Sequence, residues 1–209
     1  MTRGLFPELI ETDRLRLERI ASDTVDPFEL YELVSTESWQ TEVTEHMPWF
    51  RFETLDDVAS FVESAEEQWA DGDTARYVVR SVADDGALGG LTAFGPEWDE
   101  RRAGSGIVLA KPFWGRGYGV ERASAFVELT FERYDLDAFY TTVADGNEPS
   151  RRMIETYVDR YGGRHEGLLR QHSARPNGEV TDQHRYTITR EEYEAATDGT
   201  ATLTFDVEW

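Results

Sequence analysis

The sequence predicts a mixed α/β fold, an α+β arrangement with a central, mostly antiparallel sheet flanked by helices. Three observations predict it. Residues 55–70 place Leu55, Val58, Phe61, Val62, Ala65 and Trp69 on one stripe, the pattern of an amphipathic helix. Residues 76–110 read as strands in succession, folded back at Asp84-Asp85-Gly86. From residue 118 onward, helical and strand-like segments alternate, ending in two strands joined at Pro176-Asn177-Gly178. A run of strands followed by strand–helix alternation is a mixed sheet, not a pure βαβ repeat.

The elements follow in order. Residues 14–20 alternate charged and apolar side chains, as a half-buried strand does. Residues 27–37 read as helix. Thr54 is placed to cap the 55–70 helix, and Gly72 to stop it. Strands are predicted at 76–83, 87–95 and 103–110, with a polar loop over 96–102. A helix over about 118–134 points Ala123, Phe126, Val127, Phe131 and Tyr134 at the core. Then come a strand at 138–144, a helix at 149–160, and strands at 163–171 and 182–190. The tail at 197–209 reads as a short extra strand.

Composition bounds the function. The chain's 209 residues suit one domain, with a C-terminal extension at 197–209. No apolar run is long enough to span a membrane. Met1-Thr2-Arg3-Gly4 lacks the apolar stretch of a secretion signal, so a cytoplasmic protein is expected. There is no cysteine, which excludes disulfides and thiolate metal sites. His165, His172 and His184 have no metal-site spacing, and no metal is expected.

The charge is lopsided. There are 42 acids against 21 basic residues, for a formal net charge of -21. Lys111 is the only lysine. The acids run through the whole chain, which reads as an acidic, halophilic surface suited to a cytoplasm of very high salt. The alternative is a surface that attracts basic peptides or polyamines. Nucleic acid is disfavoured as a partner at this charge.

Phe113-Trp114-Gly115-Arg116-Gly117-Tyr118-Gly119-Val120 follows an apolar strand and opens a helix. Glycines admit close approach, and the first turn of a helix offers unpaired N–H groups. The combination suits a diphosphate, with Arg116 adding a cation. The nucleoside-triphosphate loop needs Lys-Ser or Lys-Thr after the glycines, and it is absent. The dinucleotide fingerprint spaces glycines at first, third and sixth positions. Here Gly115, Gly117 and Gly119 hold first, third and fifth. The remaining diphosphate reading is coenzyme A.

Trp114-Gly115-Arg116-Gly117-Tyr118-Gly119 resembles motif A of the GNAT acetyltransferases. Tryptophan in the first place is similar to the branch holding the RimJ/RimL-type ribosomal-protein N-terminal acetyltransferases. Glu11 through Leu17, Asn147 through Glu155, Glu166 through Arg170 and Asp182 through Tyr193 resemble further motifs of that branch, in its order. The resemblance spans roughly 9–194 and implies the acyl-CoA N-acyltransferase fold. It implies acetyl-CoA as co-substrate and an amine acceptor, either a protein N-terminus or a small amine. The alternative is a non-catalytic coenzyme A-binding sensor or structural module. A monomer or homodimer is expected.

The resemblance also implies the site. Val108, Leu109 and Ala110 would run beside the pantetheine arm, with a backbone N–H near Leu109 polarising the thioester. Trp114 and Gly115 form the loop, and the N–H groups of Arg116, Gly117, Tyr118 and Gly119 hold the pyrophosphate. Asn147 and Ser150 lie at the inner arm, with Ser150 the catalytic candidate that hydrogen-bonds or protonates the thiolate. Helix-start chemistry alone also explains Asn147-Glu148-Pro149-Ser150. Two features depart from the family, the residue at 154 and the acid missing from the stretch at 103–106. Ile154 stands where many members have a general-acid tyrosine, and Tyr157 falls at a usually buried leucine. The stretch Ala103-Gly104-Ser105-Gly106 lacks the glutamate often found there. The base is unassigned among Glu97, Asp99 and Glu100. The loop Glu45-His46-Met47-Pro48-Trp49-Phe50 is expected to help form the acceptor pocket.

Overall fold

The computed structural model describes residues 4–198 and 205–209. Its elements, in chain order, are strands β1 (Leu9–Glu11) and β2 (Leu15–Arg19), helices α1 (Pro27–Val34) and α2 (Leu55–Asp71), strands β3 (Ala75–Ser81), β4 (Ala87–Glu97) and β5 (Arg102–Leu109), helix α3 (Tyr118–Glu128), strand β6 (Ala138–Ala144), helix α4 (Glu148–Arg160), strands β7 (Arg164–Ala174) and β8 (Val180–Thr189), helix α5 (Arg190–Ala196) and strand β9 (Asp206–Glu208). The mixed α/β class and the mostly antiparallel pairing agree with the expectation from sequence.

The chain divides into two compact units. The first comprises residues 1–95, 107–118 and 205–209. Its strands β1 to β4 pair antiparallel in sequence order, and β9 pairs antiparallel with β1. Helix α2 begins as predicted. The Thr54 side chain accepts from the Asp57 N–H, and the Asp57 carboxylate accepts from the Thr54 N–H, forming a capping box. Gly72 ends the helix in the left-handed region, with φ 76°. Val58, Val62 and Ala65 are buried with Leu30, Val34, Trp39, Val78 and Leu91 in one apolar core. The predicted 76–83 strand stops at Ser81, where a single 3-10 turn over Val82–Asp84 precedes left-handed Asp85 and Gly86.

The second unit comprises residues 96–106 and 119–204. Here β5 pairs parallel with β6, in the register Arg102↔Ala138, Ala103↔Phe139, Gly104↔Tyr140. One step further, the Thr141 hydroxyl donates to the Ser105 carbonyl at 3.1 Å. Strand β6 pairs antiparallel with β8, and β8 with β7. Side chains alternate across a strand, so this register sorts them into two faces. Ala103, Ser105, Phe139, Thr141 and Tyr186 share one face. Arg102, Gly104, Gly106, Tyr140, Thr142 and Arg185 share the other. Helices α3 and α4 cover the first face. Arg122 of α3 donates to the Ser105 hydroxyl at 2.8 Å, Tyr157 of α4 meets Phe139 edge-on at 6.4 Å, and Glu155 of α4 accepts from the Tyr186 hydroxyl at 2.9 Å.

Two elements were not expected from the sequence. The 182–190 strand ends at Thr189, which caps α5 through a capping box with Glu192. Strand β1 precedes the predicted 14–20 strand and pairs with it. The expected tail strand is β9, and the rest of that segment, 199–204, lies outside the described residues, as do Met1, Thr2 and Arg3 at the N-terminus. Among the described residues no helix is long and apolar enough to cross a membrane.

Candidate functional site

The glycine loop leaves β5 at Leu109, passes a 3-10 turn at Lys111–Phe113, and enters α3 at Tyr118. Gly115 and Gly117 adopt φ 71° and 80°, in the left-handed region where a side chain is strained. These two glycines are therefore needed for the path of the chain. Residues 114–117 are exposed. Among the described residues, the N–H groups of Gly115, Arg116 and Gly117 have no acceptor. The first turn of α3 adds more unpaired N–H groups and the positive end of the helix dipole.

The loop is pinned from behind by the first unit. The Trp114 indole N–H donates to the Leu109 carbonyl at 2.6 Å. The buried Tyr118 hydroxyl lies 2.9 Å from the Ser81 hydroxyl. The Arg14 guanidinium donates to the Arg116 carbonyl at 2.9 Å and lies 5.2 Å from the Tyr118 ring centre. The Arg116 guanidinium is not turned toward the loop's N–H groups. It donates to Asp84 at 2.6 Å and passes beside Phe113. Hydrogen bonds from Ser81 and the charge of Arg116 hold the Asp84 carboxyl below its ordinary range. The donors that the loop itself presents are backbone N–H groups, with the Arg116 cation held against Asp84.

Val108 and Ala110 are buried, and the Ala110 N–H donates to the Gly89 carbonyl at 2.8 Å. The Ala110 carbonyl accepts from the Phe113 N–H at 2.9 Å. A Cβ built on Gly90 would lie 2.2 Å from the Val108 carbonyl oxygen, so β4 keeps a bare backbone beside this stretch. Nothing in the sequence patterning alone singled out Gly90.

In the second unit, Gly119 has a packing role. A Cβ there would lie 2.3 Å from the Met153 sulfur of α4. The third glycine thus lets α3 and α4 approach closely. Asn147 is the N-cap of α4, and its side chain accepts from the Ser150 N–H at 3.3 Å. The helix-start reading of this pair is therefore realised. The Ser150 hydroxyl has no partner among the described residues and is partly exposed. Ile154 and Tyr157 are both buried, and burial pushes the Tyr157 hydroxyl up to about 12. Tyr157 accordingly packs as the residue expected at a core position. Val108, Leu109, Ala110, Trp114, Gly115, Arg116, Gly117 and Tyr118 belong to the first unit, and Gly119, Asn147 and Ser150 to the second.

The loop acids separate into two kinds. Asp99 and Glu100 are exposed on the turn before β5. Glu97 is the last residue of β4 and is tied on both sides. It accepts from the Tyr140 hydroxyl and, at 2.5 Å, from Arg102 Nε. Burial pushes the Glu97 carboxyl up, but the Tyr140 and Arg102 hydrogen bonds outweigh it and hold the group below its ordinary value. Burial, and then the bond to Glu97, push Tyr140 up to about 12. In the first unit, Phe50 joins the core, Trp49 is exposed, and His46 Nδ1 is buried without a partner among the described residues. His165 and His184 contact each other at 3.0 Å, and His184 meets Asp145 at 3.2 Å.

Residues 14–157 match the family described as the acetyltransferase (GNAT) domain. That match covers most of the chain, which belongs to the GNAT acetyltransferase family and is an acetyl-coenzyme A-dependent N-acetyltransferase. The chain is 21% identical over 187 residues to an uncharacterized N-acetyltransferase, p20, of Bacillus licheniformis, covering 89% of this chain and 98% of that one. Among solved structures, it is similar to a GCN5-related N-acetyltransferase from Brucella melitensis, with TM-score 0.77 and 20% identity over 94% of this chain and 85% of that one. It is also similar to a putative ribosomal-protein-serine acetyltransferase from Vibrio cholerae, with TM-score 0.69 and 19% identity over 90% and 99%.

Proposed function

We propose that the chain acts as one acetyltransferase domain that holds acetyl-CoA at the glycine loop and passes the acetyl group to an amine. The carrying observation is the set of unpaired N–H groups at Gly115, Arg116 and Gly117, continued by the first turn of α3 at Tyr118 and Gly119. Such a row of donors suits a pyrophosphate. Val108, Leu109 and Ala110 serve the pantetheine arm, and Trp114 fixes the loop's entry. Acetyl-CoA held there would supply a thioester whose carbonyl carbon bonds the amine nitrogen as its bond to sulfur breaks, with the proton lost from nitrogen balanced by one gained on the departing thiolate. The Ser150 hydroxyl, beside Asn147, is free to donate to the sulfur as negative charge grows on it. In this reading the chain sits in the branch that includes the RimJ/RimL-type enzymes, supported by the Trp114 motif and by the likeness to the Vibrio cholerae protein. The acceptor is a protein N-terminus or a small amine, and the enzyme works as a monomer or homodimer in the cytoplasm.

Calorimetric titration in multimolar KCl tests the cofactor. Acetyl-CoA is expected to bind saturably, with NADH and ATP as non-binding controls. No binding by a folded sample would remove the proposal. Ser150→Ala is expected to leave acetyl-CoA affinity intact and lower kcat about 10²-fold. An unchanged kcat would take Ser150 out of the chemistry.

The acid excess is a proposal of its own. Its spread along the chain supports adaptation to high salt, because a recognition site would concentrate the charge. The midpoint of thermal unfolding, followed by circular dichroism, is expected to fall steadily as KCl is lowered from multimolar to dilute buffer. Full stability in dilute buffer would instead assign the acids to recognition of basic substrates.

A further inference from the structure

The half-buried face of β5, β6 and β8, opposite α3 and α4, carries a charge opposite to that of the chain. Helices α3 and α4, which bear Gly119, Asn147 and Ser150, cover the face of Ser105 and Thr141. An amine approaching this part of β5 therefore comes from the face of Gly104 and Gly106. That face is half-buried, neither core nor free surface. Its backbone is bare: a Cβ at Gly106 would meet nothing within 4 Å, while one at Gly104 would lie 2.8 Å from the Tyr140 ring. Tyr140 thus fills the space a side chain at 104 would take.

Two guanidinium groups flank the Tyr140 ring, Arg185 at 4.4 Å and Arg102 at 5.2 Å from its centre. Glu97 neutralises Arg102. Glu100 acts on Arg102 from the exposed turn. Arg185 has no carboxylate, carbonyl or hydroxyl acceptor among the described residues, although the chain carries 42 acids. On the strands themselves Glu97, Arg102 and Arg185 leave one positive charge; the Glu97 carboxylate also acts on Arg185 without a hydrogen bond, and Glu100 lies outside, on the turn.

We infer that the acceptor is a small amine carrying its own anionic group, a carboxylate or a phosphate, which Arg185 receives. This rests on the acetyl-transfer reading and narrows its acceptor. A guanidinium offers a planar pair of donors that a carboxylate or phosphate fills on both arms. The Tyr140 ring holds the guanidinium plane in place. A net positive face also favours the neutral, nucleophilic form of the amine over its ammonium form. Polyamines are repelled by the same charge. At molar salt the Debye length is about 3 Å, so this discrimination acts by direct contact rather than at a distance.

The test is steady-state kinetics with matched acceptors: amino acids against their amides, and phosphoethanolamine against ethanolamine. An amino-acid amide has the more nucleophilic population of free amine at neutral pH, so preference for the acid cannot come from amine reactivity. The acids or the phosphate ester are expected to be used in preference to their uncharged partners, and the two anionic arms tell carboxylate from phosphate. Arg185→Gln is expected to raise KM for the anionic acceptor about tenfold to a hundredfold, with little change for the amide. Arg185→Lys should restore part of the preference. Calorimetric acetyl-CoA affinity should be unchanged in both variants. Equal or better use of amides and polyamines, or an Arg185→Gln effect equal on both acceptor types, would overturn the inference while leaving acetyl transfer standing. A wild-type protein that binds no acetyl-CoA would remove the underlying reading instead.

Discussion

Gly117→Glu is expected to abolish measurable acetyl-CoA binding while leaving the protein folded. Gly117 sits at φ 80°, and a Cβ there would lie 3.4 Å from Arg14 Nη2, an ordinary contact. The backbone strain of a side chain in the left-handed region is about 1–2 kcal/mol. The new carboxylate would have the Arg14 guanidinium beside it, so the variant has a partner for its charge. The ligand fares differently. A carboxylate at the centre of the N–H row would take those donors and repel the pyrophosphate at contact range, where salt screens little. A loss of affinity of about 10²-fold or more follows from removing two or three charged hydrogen bonds. Gly117→Ala separates the causes. It carries the same strain without the charge, and its affinity should fall far less. Calorimetry at matched KCl, with circular dichroism for the fold, reads both. A folded Gly117→Glu protein that binds acetyl-CoA within about threefold of wild type would mean the loop is only a turn.

The loop was legible because its chemistry is local. Glycines at left-handed positions, an apolar strand before them and a helix after them all lie within one short segment. The same holds for α2, whose cap, stripe and stop are spaced along one helix. What failed to show depends on partners remote in sequence. The three-residue β1 is too short for a periodic pattern, and it is defined by pairing with β2 and with β9 near the other end of the chain. Helix α5 buries Tyr193 alone, so it offers no apolar stripe. The capping box of Thr189 with Glu192 was its readable signal, and the preceding strand pattern ran over it. The pairing of Glu97 with Tyr140 and the exclusion of a side chain at 104 follow from the parallel β5–β6 register, which no local pattern encodes. Among three loop acids of equal standing in the sequence, that register singles out Glu97. The Arg116 ion pair is likewise remote in origin: Asp84, brought alongside by the β3–β4 hairpin, accepts from its guanidinium, and no pattern within the loop encodes that partner.

Arg122→Met is expected to stabilise the protein, by about 1–3 kcal/mol. Arg122 is 2% exposed on α3, in a chain with twice as many acids as bases. Among the described residues no carboxylate meets it. Its Nη1 donates to the Ser105 hydroxyl, its plane lies 5.4 Å from the Phe126 ring centre, and its Nε is buried without a partner. Burying a charge this sparsely solvated is unfavourable, whereas methionine keeps the stem's packing without the charge. Ser105→Ala should act in the opposite sense. It removes the guanidinium's hydroxyl acceptor and should destabilise by about 1–3 kcal/mol. In the Arg122→Met background the same Ser105→Ala change should be nearly neutral, so the double-mutant cycle should show strong coupling. Burial pushes the Arg122 guanidinium down from its ordinary value, the direction expected of a cation that the interior does not solvate. A guanidinium nevertheless stays charged across the working pH range, so the cost is carried throughout. Urea unfolding at constant KCl and neutral pH measures all three variants. An Arg122→Met protein less stable than wild type at neutral pH would mean that the guanidinium has a compensating partner, and the nearby Tyr157 hydroxyl would be the group to examine.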